Sequence, residues 1–196
     1  MSWPAPVTLA GPHVRLEPLS ATHHDALCEA ARDGELWKLW YTAVPSPEGM
    51  TAEIERRLAL RAMGSMLPFT VFDATDRVVG MTTYMNIDAK HQRVEIGSTW
   101  VRRDVQRTPL NTNAKRLLLG YAFEQLACIA VEFRTHRLNT PSRRAIERLG
   151  AQLDGVLRAH QRAADGSLRD TAVYSITAAE WPAVRVHLDW QLNKPR

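Results

Sequence analysis

The sequence predicts a mixed α/β (α+β) domain, and three patterns along the chain support this class. Segments that alternate apolar and polar residues are interleaved with segments whose apolar residues recur at helical spacing. Three predicted strands follow one another at hairpin spacing between residues 67 and 101, which indicates an antiparallel meander. No linker, internal repeat or low-complexity segment divides the 196 residues, so residues 1–196 are predicted to form a single domain.

The first half of the chain is predicted to contain one strand, three helices and the meander. Pro18 ends the first strand, Ser20 begins the first helix, and Thr51 is placed to cap the third helix. The predicted ranges are 13–19 for the first strand, 20–31, 35–41 and 51–64 for the helices, and 67–72, 77–87 and 93–101 for the meander.

The second half alternates helices with strands and closes with a hairpin. Gly150 is a left-handed helix stop, Asp165-Gly166 is a tight turn, and residues 177–180 have the spacing of a capping box. The predicted ranges are 102–113 for a polar loop, 114–127 and 142–149 for helices, 129–135, 151–158 and 169–176 for strands, and a last helix from 177.

The composition is that of a globular protein, with 45% hydrophobic and 23% charged residues. The net charge of +4 is uneven, because residues 1–100 hold nine Lys/Arg and twelve Asp/Glu, whereas residues 101–196 hold sixteen and nine. A basic half fits an anionic ligand, either a phosphate-bearing cofactor or nucleic acid. It fits equally well a genome that favours arginine, since the chain has 21 Arg and four Lys.

The cysteine and histidine pattern predicts no metal site. Cys28 and Cys128 are far apart and have no ligand spacing, and His23-His24 lacks a second pair of ligands. Unpaired cysteines favour a reducing compartment. The N-terminus lacks a signal-peptide pattern, and no stretch approaches the ~18 apolar residues of a membrane span, so we expect a cytoplasmic protein without membrane partners.

The segment from Glu95 to Lys115 reads as a strand, a polar loop and the start of a helix. The free N–H groups and the positive dipole end of such a helix form a ready anion site, and a pyrophosphate would fit it. An ordinary capped helix after a surface loop has the same pattern. The polar side chains that would add donors or charge are Arg107, Thr108, Asn111, Thr112 and Lys115.

A second motif, Asn-x-x-Ser-x-x-x-Ile-x-x-Leu-Gly, follows the predicted strand 129–135 and covers residues 139–150. Together with the strand, loop and helix before it, this motif resembles the GNAT superfamily of N-acetyltransferases. The nearest branch is the RimJ/RimL-like ribosomal-protein N-terminal acetyltransferases. The resemblance extends from about Val14 to Ile176.

The resemblance implies a mostly antiparallel sheet, flanked by helices, in which two parallel central strands splay apart. Those strands would be 93–101 and 129–135, and the pantetheine arm of acetyl-CoA would lie between them. An N–H group near Val101 would polarise the thioester carbonyl, and residues 106–113 would hold the pyrophosphate. The cofactor-binding residues implied in this way are Thr99, Trp100, Val101, Gln106, Arg107, Thr108, Asn111, Thr112, Asn113, Lys115, Asn139 and Arg144.

Two positions depart from the family pattern. Pro109 occupies a small-residue position of the loop and cannot donate an N–H, which removes one expected phosphate contact. Many members have a tyrosine acid seven residues after the Asn, whereas this chain has Ile146. The proton for the leaving thiolate must therefore come from another group.

The chemistry of the reaction selects two catalytic candidates. An alkylamine has a pKa near 10 and must lose a proton before it attacks a thioester, and Glu95 is predicted to be the general base. Ser142 is predicted to steady or protonate the sulfur. The alternatives are a cross-strand salt bridge for Glu95 and a helix N-cap for Ser142.

The predicted function is transfer of an acetyl group from acetyl-CoA to a primary amine by direct attack. Its acceptor stays open among a protein or peptide N-terminus, a small-molecule amine and a polyamine. A catalytically weak acetyl-CoA sensor is the alternative that Ile146 and Pro109 leave open. Nucleic-acid binding is disfavoured because no stripe of aromatic and basic residues is visible. A homodimer is compatible with the sequence.

Overall fold

The structure, a computed structural model, describes residues 3–163 and 165–194. Within these ranges eight strands form one sheet, and five α-helices pack around it. The strands are β1 (Leu9–Gly11), β2 (Val14–Pro18), β3 (Met66–Asp73), β4 (Val78–Asp88), β5 (Arg93–Val101), β6 (Ala130–His136), β7 (Gln152–Arg162) and β8 (Leu168–Thr177). The helices are α1 (His24–Arg32), α2 (Met50–Ala62), α3 (Pro109–Gly120), α4 (Thr140–Glu147) and α5 (Trp181–Asn193).

The sheet is mostly antiparallel and has a single parallel neighbour pair among the described strands. Its order is β1-β2-β3-β4-β5-β6-β8-β7, and only β5 and β6 run in the same direction. The connection between those two strands contains α3, as a parallel pair requires a long crossover. This architecture confirms the predicted fold class.

The two faces of the sheet carry separate hydrophobic clusters. The larger cluster joins alternate residues of the central strands to α3 and α5, with Leu118, Leu119 and Leu188 fully buried. The smaller cluster joins the other face of β4 and β5 to α1 and α2 through Leu27, Met81 and Trp100, among others. The strand period of two therefore sends neighbouring residues of β5 to opposite faces.

Three predictions for the first half are wrong in detail. The short strand β1 was absent from the sequence prediction, and it pairs with β2 through Leu9↔Leu16. The helix predicted over residues 35–41 is reduced to a single 3₁₀ turn, Leu36–Lys38, which begins after Glu35 in the left-handed region. Thr51 lies inside α2 instead of capping it, and its hydroxyl bonds to His24 Nε2 at 3.0 Å.

Helix α3 begins five residues earlier than the sequence predicts. Thr108 is its N-cap and accepts the N–H of Leu110 at 3.3 Å, and Pro109 occupies the first turn. Proline fits there because its missing N–H has no partner within the helix and its φ is already helical. After Gly120 the chain continues as a π-helical turn, Tyr121–Gln125, to Leu126.

The later helices also start away from their predicted positions. Helix α4 begins at Thr140, with Asn139 as its N-cap. Glu180 accepts bonds from the N–H and the hydroxyl of Thr177, both at 2.8 Å, and α5 begins directly after it. Pro182 then falls in the first turn of α5, where it is tolerated. No helix of the described ranges is long and apolar enough to cross a bilayer.

Candidate active site

Strands β5 and β6 form a wedge that is closed at one end and open at the other. They pair through Arg93↔Ala130, Val94↔Val131 and Glu95↔Glu132, and no later pair joins them in the described structure. Residues 97–101 of β5 therefore have an edge that faces β6 without a ladder partner. An unpaired strand edge offers backbone donors and acceptors to a ligand that lies along it.

A β-bulge opposite Thr82 opens the wedge. The register of β4 and β5 passes from Met81↔Trp100 to Thr83↔Gly97, so two β5 residues oppose Thr82. One of them, Ser98, has φ +47°, a left-handed conformation that occurs in one class of β-bulge. The bulge changes the direction in which the following residues point.

Glu95 lies at the apex of the wedge, in the last pair before the strands separate. Its side chain is only 5% exposed, and Asn86 Nδ2 donates to its Oε2 at 2.6 Å. Burial raises the pKa of Glu95, while the Asn86 hydrogen bond and the charge of Arg134 oppose that rise. A raised pKa makes this carboxylate a stronger base than an exposed one.

The predicted alternative for Glu95, a cross-strand ion pair, is present in a weak form. Arg134 Nε lies 3.6 Å from Glu95 Oε2, but the same guanidinium donates to Glu132 at 2.8 Å. Glu132 is also paired with Arg93. Glu95 therefore lies at the end of a row of charged side chains in which Arg93 and Arg134 pair mainly with Glu132.

Gly97 gives the Glu95 carboxylate its space. A Cβ atom at position 97 would lie 2.8 Å from Glu95 Oε1 and 2.6 Å from Met85 Sδ. Neither Gly97 nor Asn86 was singled out in the sequence, because no local pattern shows that they approach Glu95 from β4 and β5.

Ser142 lies in the first turn of α4, beyond the open end of β6. The N-cap role that competed with its proposed chemistry belongs to Asn139, whose Oδ1 accepts the Ser142 N–H at 3.1 Å. Ser142 is half-buried, and within the described ranges its hydroxyl makes no hydrogen bond. Ile146, in contrast, is buried in the larger hydrophobic cluster.

The loop before α3 presents part of the predicted phosphate site to the surface. Gln106, Arg107 and Thr108 are exposed, and Asn111 is half-buried. Gln106 Nε2 donates to the carbonyl of Val101 at 3.1 Å, which ties the loop to the end of β5. These side chains and the N-terminus of α3 form a polar, positively polarised surface beside the open end of the wedge.

Three other predicted phosphate ligands are directed into the protein and have partners there. Thr112 accepts from Arg148 at 3.2 Å, and Asn113 Oδ1 accepts the N–H of His13 at 3.0 Å. Lys115 Nζ donates to the hydroxyls of Thr82 at 3.1 Å and Thr99 at 2.8 Å. Through these contacts Thr112, Asn113 and Lys115 hold α3 and the β-bulge in position.

Residues near the wedge differ in the exposure and the hydrogen-bond partners of their side chains. Trp100 packs in the α1 and α2 cluster, so its backbone alone faces the wedge, and half-buried Val101 contacts the larger cluster. Thr99 is exposed. Arg144 is exposed and has no side-chain partner within the described ranges, whereas Arg143 bonds to Tyr174 Oη at 2.7 Å.

No group of three or more His, Cys, Asp or Glu side chains in the described residues has the arrangement of a metal site. A cavity of about 350 Å³ between α1 and the start of α2 is lined by His24, Cys28 and Glu48 among others. Burial raises the pKa of the Cys28 thiol, which makes it a poor nucleophile.

Comparison with known proteins agrees with this geometry. The family described as "Acetyltransferase (GNAT) domain" matches residues 13–152. The chain is 27% identical over 178 residues to the uncharacterized N-acetyltransferase p20 of Bacillus licheniformis, which covers 89% of this chain and 98% of that protein. It is 31% identical over 102 residues to YdaF of Bacillus subtilis (strain 168), provisionally named a ribosomal N-acetyltransferase, over 52% of this chain and 55% of that one.

A solved structure extends the likeness to the whole fold. The chain superposes on a GCN5-related N-acetyltransferase from Brucella melitensis with a TM-score of 0.83 and 34% identity, over 95% of this chain and 86% of that one. The family match covers the meander, the bulged strand β5, the loop before α3 and the Asn139 motif. The chain belongs to the GNAT acetyltransferase family and is an acetyl-CoA-dependent N-acetyltransferase.

Proposed function

We propose that this enzyme acetylates a primary amine by direct attack of the amine on acetyl-CoA, with Glu95 as general base. The position of Glu95 at the wedge apex carries this proposal. The hydrogen bond from Asn86 fixes the position of its carboxylate, and burial raises its pKa. An ammonium acceptor would lose its proton to Glu95, directly or through one water molecule, before its nitrogen attacks the thioester carbonyl.

The cofactor is proposed to lie along the unpaired edge of β5. Backbone groups of Thr99, Trp100 and Val101 would pair with the pantetheine amides, and an N–H near Val101 would polarise the thioester carbonyl. Ser142 is proposed to donate to the departing sulfur, because its hydroxyl is unengaged in the described structure and Asn139 fixes its turn. Among the described residues the amide nitrogen of Asn139 donates no hydrogen bond, and it is proposed to face the same end of the arm.

The pyrophosphate is proposed to bind at the loop before α3. Gln106, Arg107 and Asn111 offer accessible donors and one positive charge. Thr108 would contribute through its backbone, because its hydroxyl already donates to the Val105 carbonyl at 2.7 Å. Thr112, Asn113 and Lys115 would act indirectly by holding the helix and the bulge in place. Exposed Arg144 is proposed to reach the 3′-phosphate. Because Pro109 occupies the first turn of the helix, its missing N–H does not disqualify the site.

The acceptor class has one line of support in the comparisons. YdaF, named for ribosomal N-acetylation, favours a peptide or protein N-terminus as the acceptor. We keep a small-molecule amine as the second candidate, because the match to YdaF covers 52% of the chain. A homodimer is also retained as a proposal, to be tested by sedimentation.

The decisive experiment measures thiol release from acetyl-CoA with a panel of amines and N-terminal peptides. At saturating acetyl-CoA, Glu95→Gln and Ser142→Ala are each expected to lower kcat by at least roughly tenfold, in the range of general acid–base effects. Glu55→Gln, an exposed carboxylate on α2, is the matched control and is expected to keep the wild-type rate. If no amine raises thiol release above slow hydrolysis, the weak-sensor alternative replaces this proposal.

A further inference from the structure

Arg169 lies on the same face of the sheet as Glu95. On β8, Ala172, Tyr174 and Ile176 point into the larger hydrophobic cluster, so Arg169, two positions before Thr171, belongs to the opposite face. Glu95 reaches that same face from β5, because its neighbours Val94 and Ile96 point into the cluster. The two side chains are near enough for the charge of each to act on the other, and the space between them is named the cleft.

The guanidinium of Arg169 has no partner within residues 3–163 and 165–194. Its Nε is buried without a hydrogen bond, and no carboxylate of those residues lies within ion-pair distance of the group. Burial lowers the pKa of Arg169, and the charge of Glu95 partly opposes this effect. A buried donor without an acceptor destabilises the folded chain, and a ligand that accepts its hydrogen bond would remove that penalty.

The charges around the cleft do not balance. Arg93, Arg134 and Arg169 bring three positive charges, and Glu95 and Glu132 bring two negative ones. The two carboxylates are already engaged with Arg93, Arg134 and Asn86. Arg169 is left as the positive group that an anionic ligand would complement.

The neighbours of Arg169 on this face are polar and aromatic. His136 of β6 pairs with Thr171, two positions from Arg169 on β8, and lies on the same face. The exposed Trp40 ring packs edge-on against His136 at 5.1 Å. Asp170, the next residue of β8, is directed to the opposite face, where Arg158 donates to it at 2.8 Å.

From this juxtaposition we propose that the natural acceptor is an amine that also carries a carboxylate, and that Arg169 binds this carboxylate while the amine lies at Glu95. The inference rests on the proposed function and narrows its substrate class. The carboxylate belongs either to an acidic side chain near a peptide N-terminus or to a small amino acid. A polyamine, which brings only positive charge, is expected to be a poor acceptor at this cleft.

Acceptors matched in shape but not in charge test the inference. One arm compares a tripeptide amide that begins with glutamate with the same amide beginning with glutamine. The second arm compares β-alanine with its carboxamide, which distinguishes a small amino acid from a peptide. In at least one arm we expect kcat/KM for the carboxylate acceptor to be roughly tenfold higher or more, the ratio that one charge-assisted contact supplies.

Substitution of Arg169 is expected to abolish the preference without abolishing the chemistry. With Arg169→Gln the ratio within the preferred arm should fall to about twofold or less through a higher KM for the carboxylate acceptor. The neutral acceptor should keep its kcat. Arg158→Gln removes a guanidinium of the same hairpin that is 80% exposed and already paired with Asp170, and it should leave the ratio unchanged.

Three results would overturn the inference: neutral acceptors that match or exceed the charged ones in both arms, spermidine as the best acceptor, or an equal loss on all acceptors in Arg169→Gln. The wild-type comparison needs no variant, so a folding defect in Arg169→Gln does not remove the test. Turnover of neutral amines with no preference refutes the carboxylate site alone. Absence of turnover with every amine refutes the proposed function as well.

Discussion

Lys115 provides a test of the structure that does not depend on the identity of the acceptor. Its side chain is only 5% exposed, and its ammonium donates to the hydroxyls of Thr82 and Thr99 without a carboxylate partner in the described structure. Burial lowers the pKa of Lys115 from the ordinary 10.5 to about 7. Replacement by methionine keeps a similar volume, and Thr82 and Thr99 already bond to each other at 2.8 Å.

The effect of Lys115→Met on stability depends on pH, and its sign and size follow from proton linkage. Between pH 7 and pH 10.5 the unfolded chain holds a proton on this lysine that the folded chain has released, so wild-type stability rises with pH across that window. At about 1.36 kcal/mol per unit of pH, the lysine contributes a gain of about 2.7 kcal/mol between pH 6 and pH 9. Lys115→Met lacks this gain, so the excess of its unfolding free energy over that of wild type is largest at pH 6 and decreases toward pH 9.

Urea unfolding followed by tryptophan fluorescence at pH 6, 7, 8 and 9 measures the difference in unfolding free energy between the two proteins. Other titrating groups cancel in that difference when they do not contact Lys115. Lys90→Met, at an exposed lysine, is the control and should show no such slope. A difference that stays constant within about 0.5 kcal/mol from pH 6 to pH 9 would show that the ammonium is not desolvated, and the reasoning would fail.

Further predictions concern the site itself. Gly97→Ala is expected to fold, because its new Cβ meets the movable ends of Glu95 and Met85. It should lower kcat at least roughly tenfold by displacing the Glu95 carboxylate. Wild-type activity in a well-folded variant, judged by circular dichroism, would contradict the assigned position of Glu95. Thr108→Ala removes the N-cap of α3 and should cost about 1 kcal/mol of stability in urea unfolding and raise the KM for acetyl-CoA, whereas Thr75→Ala in the β3–β4 turn should leave that KM unchanged. The raised pKa of Glu95 means that the base is lost by protonation as pH falls through that value, so kcat with a weakly basic amine should decline toward acid pH in wild type and lose this decline in Glu95→Gln; an identical profile in both proteins would exclude Glu95 as the base.

Much of the fold could be predicted because its signals are local. In β5 the apolar Val94 and Ile96 alternate with Glu95 and Gly97, and the strand begins and ends at its predicted residues, Arg93 and Val101. Family likeness was visible for the same reason, since the Asn139 motif and the loop before α3 are continuous in the chain. The GNAT family and the parallel pair of splayed strands were both confirmed.

The helix boundaries were harder to predict because polarity is a poor guide to burial when partners are distant. The segment from Asn111 to Asn113 reads as loop, yet Thr112 and Asn113 are buried in α3, and Lys115 of the same helix is buried as well. Each finds its partner on another element, from Arg148 after α4 to His13 before β2. No sequence window contains both members of such a pair.

The sequence by itself determined the class of chemistry through three features: the order of strands and helices, a helix that begins at a polar loop, and Glu95 within an apolar strand. These are short-range patterns, and the backbone periods of strand and helix make them readable. Only the tertiary structure decided which carboxylate lies where β5 and β6 diverge, and that Asn139, not Ser142, caps α4. It also decided that Arg169 faces the cleft and has no partner among the described residues. The reason is physical, because burial, pairing and charge balance depend on groups that are distant along the chain and meet only when the sheet has formed.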